Sequence, residues 1–319
     1  MNVRRMSSSL DIIVVNWNAG RLLWHCLESI SLSQRSEIAL KRVVVVDNAS
    51  SDESSRGLES GDLPLVLLSN TENRGFARAC NQGASGSRAD YLLFLNPDTR
   101  LHSQTLSRSV CFMELPENRT VGICGVRHID ESGKTATSCA RFPSLWIFLW
   151  KMTGLVQLFP KVFPSHLLAE DECRQSKEVD QVIGAYFLVR RSLFEALNGF
   201  DERFFVYFEE VDFSHRAKKQ GYSSHYLADV TLYHRGGGSS EQAKTKRIFY
   251  SLRSRLLYAF KHFSFLEALS LSFLTVTLEL ASRLFGAALS LSFTKLKETI
   301  GGYAELIWYF MGKGVKWRS

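Results

Sequence analysis

None of the six cysteines, Cys26, Cys80, Cys111, Cys124, Cys139 and Cys173, stands in a CxxC pair. A zinc ribbon and a disulfide scaffold therefore lose their usual signature, and a reducing cytosol is the expected compartment. No GxGxxG follows the first apolar run and no P-loop motif occurs anywhere. This removes most support for a dinucleotide dehydrogenase or a P-loop NTPase. A Gly-X-Y period and heptad runs are also missing, which excludes a fibrous protein. Met1 to Ser9 carries two arginines but no long apolar stretch, so it does not read as a secretory signal. Glu279 and Arg283 cut the apolar stretch Ala268 to Phe293 into uncharged runs of about eleven residues, below the roughly 18 to 20 needed to span a bilayer. No transmembrane helix is expected.

What remains is ample for folding. With 319 residues, 45% hydrophobic, 12% aromatic and 22% charged, the chain can fill one large domain or one domain with an appendage, and disorder is excluded. The net charge of +7 is unevenly placed: residues 244–319 hold twelve Lys/Arg against four Asp/Glu, and the remainder is almost neutral. A nucleic-acid surface would ordinarily be a basic face of the folded domain, so nucleic acid is not an expected partner. A basic, aromatic-rich terminal segment suits the anionic inner face of the cytoplasmic membrane.

Short apolar runs at Leu10–Val15, Val43–Val46, Leu65–Leu68 and Tyr91–Leu95 are rich in β-branched and aromatic residues. Between the first two, Leu22, Leu23, Cys26, Leu27 and Ile30 recur at helical spacing, so residues 10–126 read as repeated βα units forming a mostly parallel sheet. Residues 127–243 form a second half, beginning with an irregular stretch to Asp180 that is expected to be a partly mobile insertion. A strand is predicted at Val182–Val189, a short helix capped by Ser192 and stopped at Asn198-Gly199, and a further helix from beyond Phe208 to about Lys219. From Lys244, the stripe Phe249, Leu252, Leu256, Phe260 and Phe263 marks a basic amphipathic helix. This stripe, with Trp308, Tyr309 and Trp317, suits a membrane interface. The competing expectation is that these helices pack on the preceding domain or join two copies in a homo-oligomer.

Ligands of parallel sheets bind beyond the carboxyl ends of the strands. There the sequence places Asn16 and Asn18, Asp47-Asn48, and Asn96-Pro97-Asp98. Any one of these clusters is ordinary turn chemistry; three at one sheet edge suggest a site. Asn73-Arg74-Gly75-Phe76 opens a helix whose small residues serve either close approach to a nucleotide or tight helix-to-sheet packing. Glu209, Glu210 and Asp212 follow an aromatic run at a helix start. The helix dipole accounts for one such carboxylate better than for three, and aromatic walls would raise the pKa of a general base. His234 precedes a glycine run and, beside Asp98, would supply an N/O pair for Mn²⁺ or Mg²⁺.

In this order, Val14-Val15-Asn16-Trp17-Asn18, Val45-Val46-Asp47-Asn48-Ala49-Ser50-Ser51-Asp52, Asn73-Arg74-Gly75-Phe76-Ala77, Leu95-Asn96-Pro97-Asp98-Thr99, Gly199-Phe200-Asp201-Glu202-Arg203-Phe204-Phe205 and Phe208-Glu209-Glu210-Val211-Asp212 resemble family 2 glycosyltransferases. The rhamnosyltransferase-like branch is the nearest, over roughly Asp11 to Ser239. The resemblance implies a GT-A fold, a nucleotide-diphosphate sugar donor, a divalent metal and an inverting transfer to a saccharide or lipid-linked saccharide. It implies that Asp47 binds the base, that Arg74 and Asn81 line the nucleotide pocket, that Asp98 and His234 hold the metal, and that Glu210 is the general base. Asn96 stands where the family's metal motif often carries its first acid, which leaves Asp98 most of the metal binding. The acidic pair is Glu-Glu where Glu-Asp or Asp-Asp is frequent.

Overall fold

The computed structural model describes residues 8–35, 37–58, 61–236 and 244–312. Met1–Ser7, Gly237, Gly238 and Ser239 of the glycine run, and Trp317 lie outside these. The chain divides into two compact units. The first comprises Met1–Arg141, Leu167–Glu202 and Glu209–Ser239; the second comprises Phe142–His166, Arg203–Phe208 and Ser240–Ser319. The tail expected from residue 244 thus groups with the irregular insertion, whose apolar residues form helices rather than a loop.

The first unit is built on strands β1 (Ser8–Asn16), β2 (Ile38–Asp47), β3 (Leu65–Ser69), β4 (Tyr91–Leu95), β5 (Thr99–Leu101), β6 (Val121–Ile129), β7 (Thr135–Ala136), β8 (Cys139–Ala140), β9 (Lys177–Val179), β10 (Gln181–Val182), β11 (Tyr186–Arg190) and β12 (Ser223–His234). Its main sheet runs β3-β2-β1-β4-β11-β6-β12-β5. The first four strands are parallel, β11 is antiparallel to both neighbours, β6 and β12 are parallel, and β5 closes the edge antiparallel to β12. The sheet is therefore parallel in its first half and mixed in its second. The strands predicted at 10–15, 43–46, 65–68 and 91–95 all form; Val, Ile, Leu and Phe side chains are buried on both faces of β1, β2 and β4, while β3 is a partly exposed edge.

Helices α1 (Arg21–Ser31), α2 (Phe76–Ala84), α3 (Thr105–Glu114), α6 (Arg191–Ala196) and α7 (Glu209–Lys219) belong to this unit. Leu23, Cys26, Leu27 and Ile30 are the buried stripe of α1, as their spacing predicts. The small residues of α2 are explained by packing. A Cβ on Gly83 would come within 2.6 Å of Ile13 and 3.1 Å of Val46, so the helix lies close on the sheet. The strand predicted at 182–189 is broken at Gly184 into β10 and β11. The helix after it starts one residue earlier than predicted, with Arg190 at its N-cap and no side-chain cap, so Ser192 is not the cap. Asn198 and Gly199, both at positive φ, end that helix region as expected.

The second unit is helical: α4 (Leu145–Met152), α5 (Leu155–Leu158), α8 (Lys244–His262), α9 (Phe265–Leu274), α10 (Leu280–Leu289) and α11 (Phe293–Gly312). Two sequence expectations are corrected here. First, the α8 stripe is a core stripe. Leu252 and Leu256 are buried, and Phe249, Phe260 and Phe263 pack against the same cluster with Phe148, Ala268, Leu271 and Leu306. Second, α9 does not stop before Glu279: it continues through a π-helical turn, Thr275–Glu279, into α10. The resulting helix, Phe265–Leu289, is long and apolar enough to cross a membrane by length and composition. The charges do not interrupt it because Glu279 is buried and ion-paired with Arg255 of α8 and with Arg283 one turn on, the latter at 2.9 Å.

Candidate functional site

The register of the parallel strands sets the site's floor. Asn16, the last residue of β1, lies beside Asp47, the last of β2, and Val14 lies beside Leu95, so Asn96 follows at the same edge. Asn16 is fully buried, and its amide donates to Asp47 Oδ1 at 2.7 Å and to the hydroxyls of Ser54 and Ser50 at 2.8 and 3.1 Å. Asp47 Oδ2 accepts the Ser50 N–H at 3.3 Å. A carboxylate offers about four acceptor positions, so Asp47 is oriented while keeping capacity for a ligand N–H.

Three asparagines expected in the donor pocket have side chains committed to the scaffold. Asn18, at positive φ, accepts the N–H groups of Ser51 and Asp52 at 2.7 and 3.2 Å and so shapes the loop after Asp47. Buried Asn48 donates to Asn73 Oδ1 and to the Gly75 carbonyl, while accepting from Asn70 and from the Arg74 N–H. Asn81 donates to the Phe200 carbonyl at 2.8 Å and accepts its N–H at 2.9 Å, tying α2 to the loop beyond Gly199. The Asn48 cradle holds Gly75 at φ +87°, a conformation that suits glycine at the mouth of α2. It also leaves the Arg74 side chain half-buried, with no ion pair among the described residues.

Asp98 and His234 come together through β5. That strand pairs antiparallel with β12 so that His234 faces Thr99, the residue after Asp98. Asp98 is buried, its carbonyl accepts the Arg235 N–H at 3.1 Å, and its Oδ1 lies 3.4 Å from His234 Nε2. Two ligands on adjacent positions around a small divalent ion, each at roughly 2.0–2.1 Å, sit about 3 Å apart. The pair thus fits two corners of such a site. Among the described residues no third His, Cys, Asp or Glu joins them. Behind His234 lies fully buried His128, its ring centroid at 5.3 Å. Burial first, and then the neighbouring imidazole, lower the His128 pKa to about 3.

The carboxylates of α7 separate into three roles. Asp212 is fully buried and accepts from Arg216 Nε at 2.8 Å; the same guanidinium donates to the carbonyls of Leu197 and Gly199. Through Arg216 it braces the turn that ends α6. Glu209 is buried, and it raises the pKa of the Cys80 thiol on α2 by charge repulsion, after burial itself. Glu210 lies over Gly184, where a Cβ would come within 3.6 Å of its Cγ. The residue after Gly184, Ala185, accepts the Asn96 N–H at 3.0 Å, which places Glu210 at the corner that carries Asn96 to Asp98. Burial raises the pKa of both glutamates, and for Glu209 the Glu210 charge adds to it. Gly184 and Arg216 gave no signal in the sequence, because what makes them matter is a neighbour distant in the chain.

The raised carboxyl of Glu209 has a consequence for stability. Below the ordinary carboxylate pKa both folded and unfolded chains are protonated, and burial costs nothing in charge. As pH rises, the unfolded chain ionises first, so the native state loses stability until the raised folded pKa is passed. Glu209→Gln is therefore expected to melt higher relative to wild type at pH 8 than at pH 4. Melting temperatures of the two proteins across that range check it; a difference that does not vary with pH would remove the ionisation argument.

Residues 11–197 match the family model described as Glycosyl transferase family 2. An N-acetylglucosaminyl-diphospho-decaprenol L-rhamnosyltransferase of Mycobacterium tuberculosis is 26% identical over 242 residues, 72% of this chain and 76% of its own. Rhamnosyltransferase WbbL of Escherichia coli is 27% identical over 170 residues, 53% of this chain and 61% of its own. Among solved structures, mannosyltransferase PcManGT from Pyrobaculum calidifontis, in complex with GDP-Man and Mn²⁺, aligns with a TM-score of 0.55 at 19% identity, covering 94% of this chain and 87% of that one. S. aureus TarS 1–349 in complex with UDP-GlcNAc gives 0.54 at 16% identity, covering 94% and 81%. These likenesses establish the α/β fold as GT-A-like.

Proposed function

Because the chain belongs to glycosyl transferase family 2, we propose that it is an inverting transferase moving L-rhamnose from dTDP-L-rhamnose to a lipid-linked saccharide at the cytoplasmic face of a membrane. The observation that carries the reaction is the corner formed by Asp98, His234 and Glu210: a metal-suited N/O pair and a carboxylate of raised pKa, joined through the Asn96–Ala185 hydrogen bond. The choice of rhamnose and of a lipid-linked acceptor is supported by the activities named for the Mycobacterium tuberculosis and Escherichia coli relatives.

In this reading Asp47 accepts from the pyrimidine N–H, held in place by Asn16, and the Arg74 guanidinium meets the diphosphate. Asp98 and His234 would hold Mn²⁺ or Mg²⁺, which supplies charge neutralisation for the departing diphosphate. Glu210 takes the proton from the acceptor hydroxyl as that oxygen attacks the anomeric carbon from the face opposite the leaving group, so configuration inverts. The raised pKa strengthens Glu210 as a base, and its buried Oε2 is left without a hydrogen-bond partner among the described residues, so it is uncommitted to the scaffold. Glu209 is the more deeply buried of the two.

Melting shifts of the purified chain with dTDP, UDP and GDP, each with and without Mn²⁺, test the donor; transfer from the matching nucleotide sugar to a saccharide-diphosphate lipid then tests turnover. The largest metal-linked shift is expected with dTDP. A preference for UDP or GDP would replace rhamnose by a hexose or galactofuranose donor. Nucleotide binding with neither metal linkage nor turnover would make the protein a non-catalytic membrane-attached scaffold.

A further inference from the structure

The helical unit carries an apolar surface that its own core does not use. On the continuous helix Phe265–Leu289, Ala268, Leu271, Thr275, Glu279 and Ala287 are buried within the unit, whereas Leu266, Leu269, Phe273, Phe285 and Leu289 face outward. Phe273 and Phe285 are 65% and 67% exposed, and Leu291, just past the helix, is 94% exposed. The π turn explains how one face stays apolar along the whole length. An extra residue in one turn rotates everything after it by about 100°, and in this arrangement Glu279 meets Arg255 and Arg283 while Phe285 and Leu289 face outward. From Phe265 to Leu291 the only charged residues on the exposed side are Glu267, held in a capping box with Ser264, and Arg283, paired with Glu279. Helix α11 adds Ile300, Trp308 and Met311, with Trp308 77% exposed. A soluble surface rarely gathers so many large apolar side chains without a partner.

We propose that this face, Leu266 to Leu291 with Trp308 of α11, is where the protein lies in the plane of an anionic lipid bilayer, seated by its apolar side chains without crossing. This deepens the reading of a lipid-linked acceptor and rests on it only for its purpose. Charge selects the occupant: residues 244–312 hold nine Lys/Arg against four Glu, so two copies of this unit would repel, whereas anionic headgroups complement it. The in-plane orientation follows from the opposite side of the same helix. Buried Arg255, Glu279 and Thr275 form a polar seam with α8, the Arg255 guanidinium donating to Thr275 at 2.9 Å, and a helix bound along one side to such a seam is not encircled by lipid. Exposed Trp308 suits the headgroup level.

The test is flotation of the full chain with phosphatidylcholine vesicles and with mixed phosphatidylcholine–phosphatidylglycerol vesicles, for wild type and for Phe273→Glu/Phe285→Glu. Both substituted side chains are exposed, so the variant is expected to keep the wild-type melting temperature. Wild type is expected to float with the anionic vesicles and to be released by alkaline carbonate. The double variant should bind them on the order of a hundredfold more weakly. Its transfer to a short water-soluble acceptor should be unchanged, so that failure of the membrane proposal and failure of the transferase reading give different results. Equal flotation of wild type and variant would overturn the proposal. So would carbonate-resistant insertion, or a wild-type dimer in solution that the double variant dissociates.

Discussion

Asp98→Ala is expected to abolish transfer, by at least ~10²–10³-fold, and to remove the Mn²⁺ dependence of nucleotide binding in a protein that still folds. The reason is the poverty of ligands at this point of the fold. The pair holds one carboxylate and one imidazole, no third acidic or imidazole group joins them among the described residues, and Asn96 brings no charge. Without Asp98, the cation would face the donor with His234 alone. The backbone contact that Asp98 makes to Arg235 uses its carbonyl and survives the substitution. Calorimetric titration of dTDP with and without Mn²⁺ is the measurement. An unchanged metal-linked affinity in the folded variant would show that the metal is held elsewhere.

Glu210→Gln is expected to lower kcat by ~10²–10⁴-fold with little change in donor affinity, since the amide keeps the shape over Gly184 and loses only the base. The pH profile supplies a second readout. A general base works ionised, so the rate rises with pH as the carboxyl loses its proton. Burial raises the Glu210 pKa, so that limb should lie above the ordinary carboxylate value of about 4.3. Residual activity in Glu210→Gln should lack the limb. Glu209→Gln should be milder, because Glu209 is buried. Reversed effects would make Glu209 the base and would move the proposed acceptor position by one helix residue.

The sequence disclosed what depends on local pattern. Strands β1 to β4 and helix α1 follow from apolar runs and a helical stripe, and the polar residues beyond the strand ends were legible because a parallel sheet presents those ends together. Pattern could not show how an amide is used. Asn18, Asn48 and Asn81 stand beyond strand ends or on the helix after them in one dimension, and in three their side chains also tie loops of the scaffold together. The tie of Asp212 to Arg216 was equally hidden, because Arg216 becomes a brace only through the carbonyls of Leu197 and Gly199. The α8 stripe was ambiguous for a different reason. An amphipathic stripe states that one face avoids water without naming what covers it, and in α8 the cover is the rest of the helical unit. Glu279 looked like an interruption because its neutralising partner, Arg255, is distant in the sequence.

The meeting of Asp98 with His234 through the β5–β12 edge also fixes when the site can come into being. Strands β1 to β4 are contiguous in the chain and can associate as soon as they leave the ribosome, whereas β12 is the last strand made and closes contacts across more than a hundred residues. A chain whose synthesis has reached only β11 can already hold the Asn16–Asp47 floor but lacks His234 beside Asp98 and the carboxylates of α7. In the proposed reading, such a chain would hold the floor for the base without the metal pair or the general base, so vectorial synthesis leaves completion of the site to the last strand.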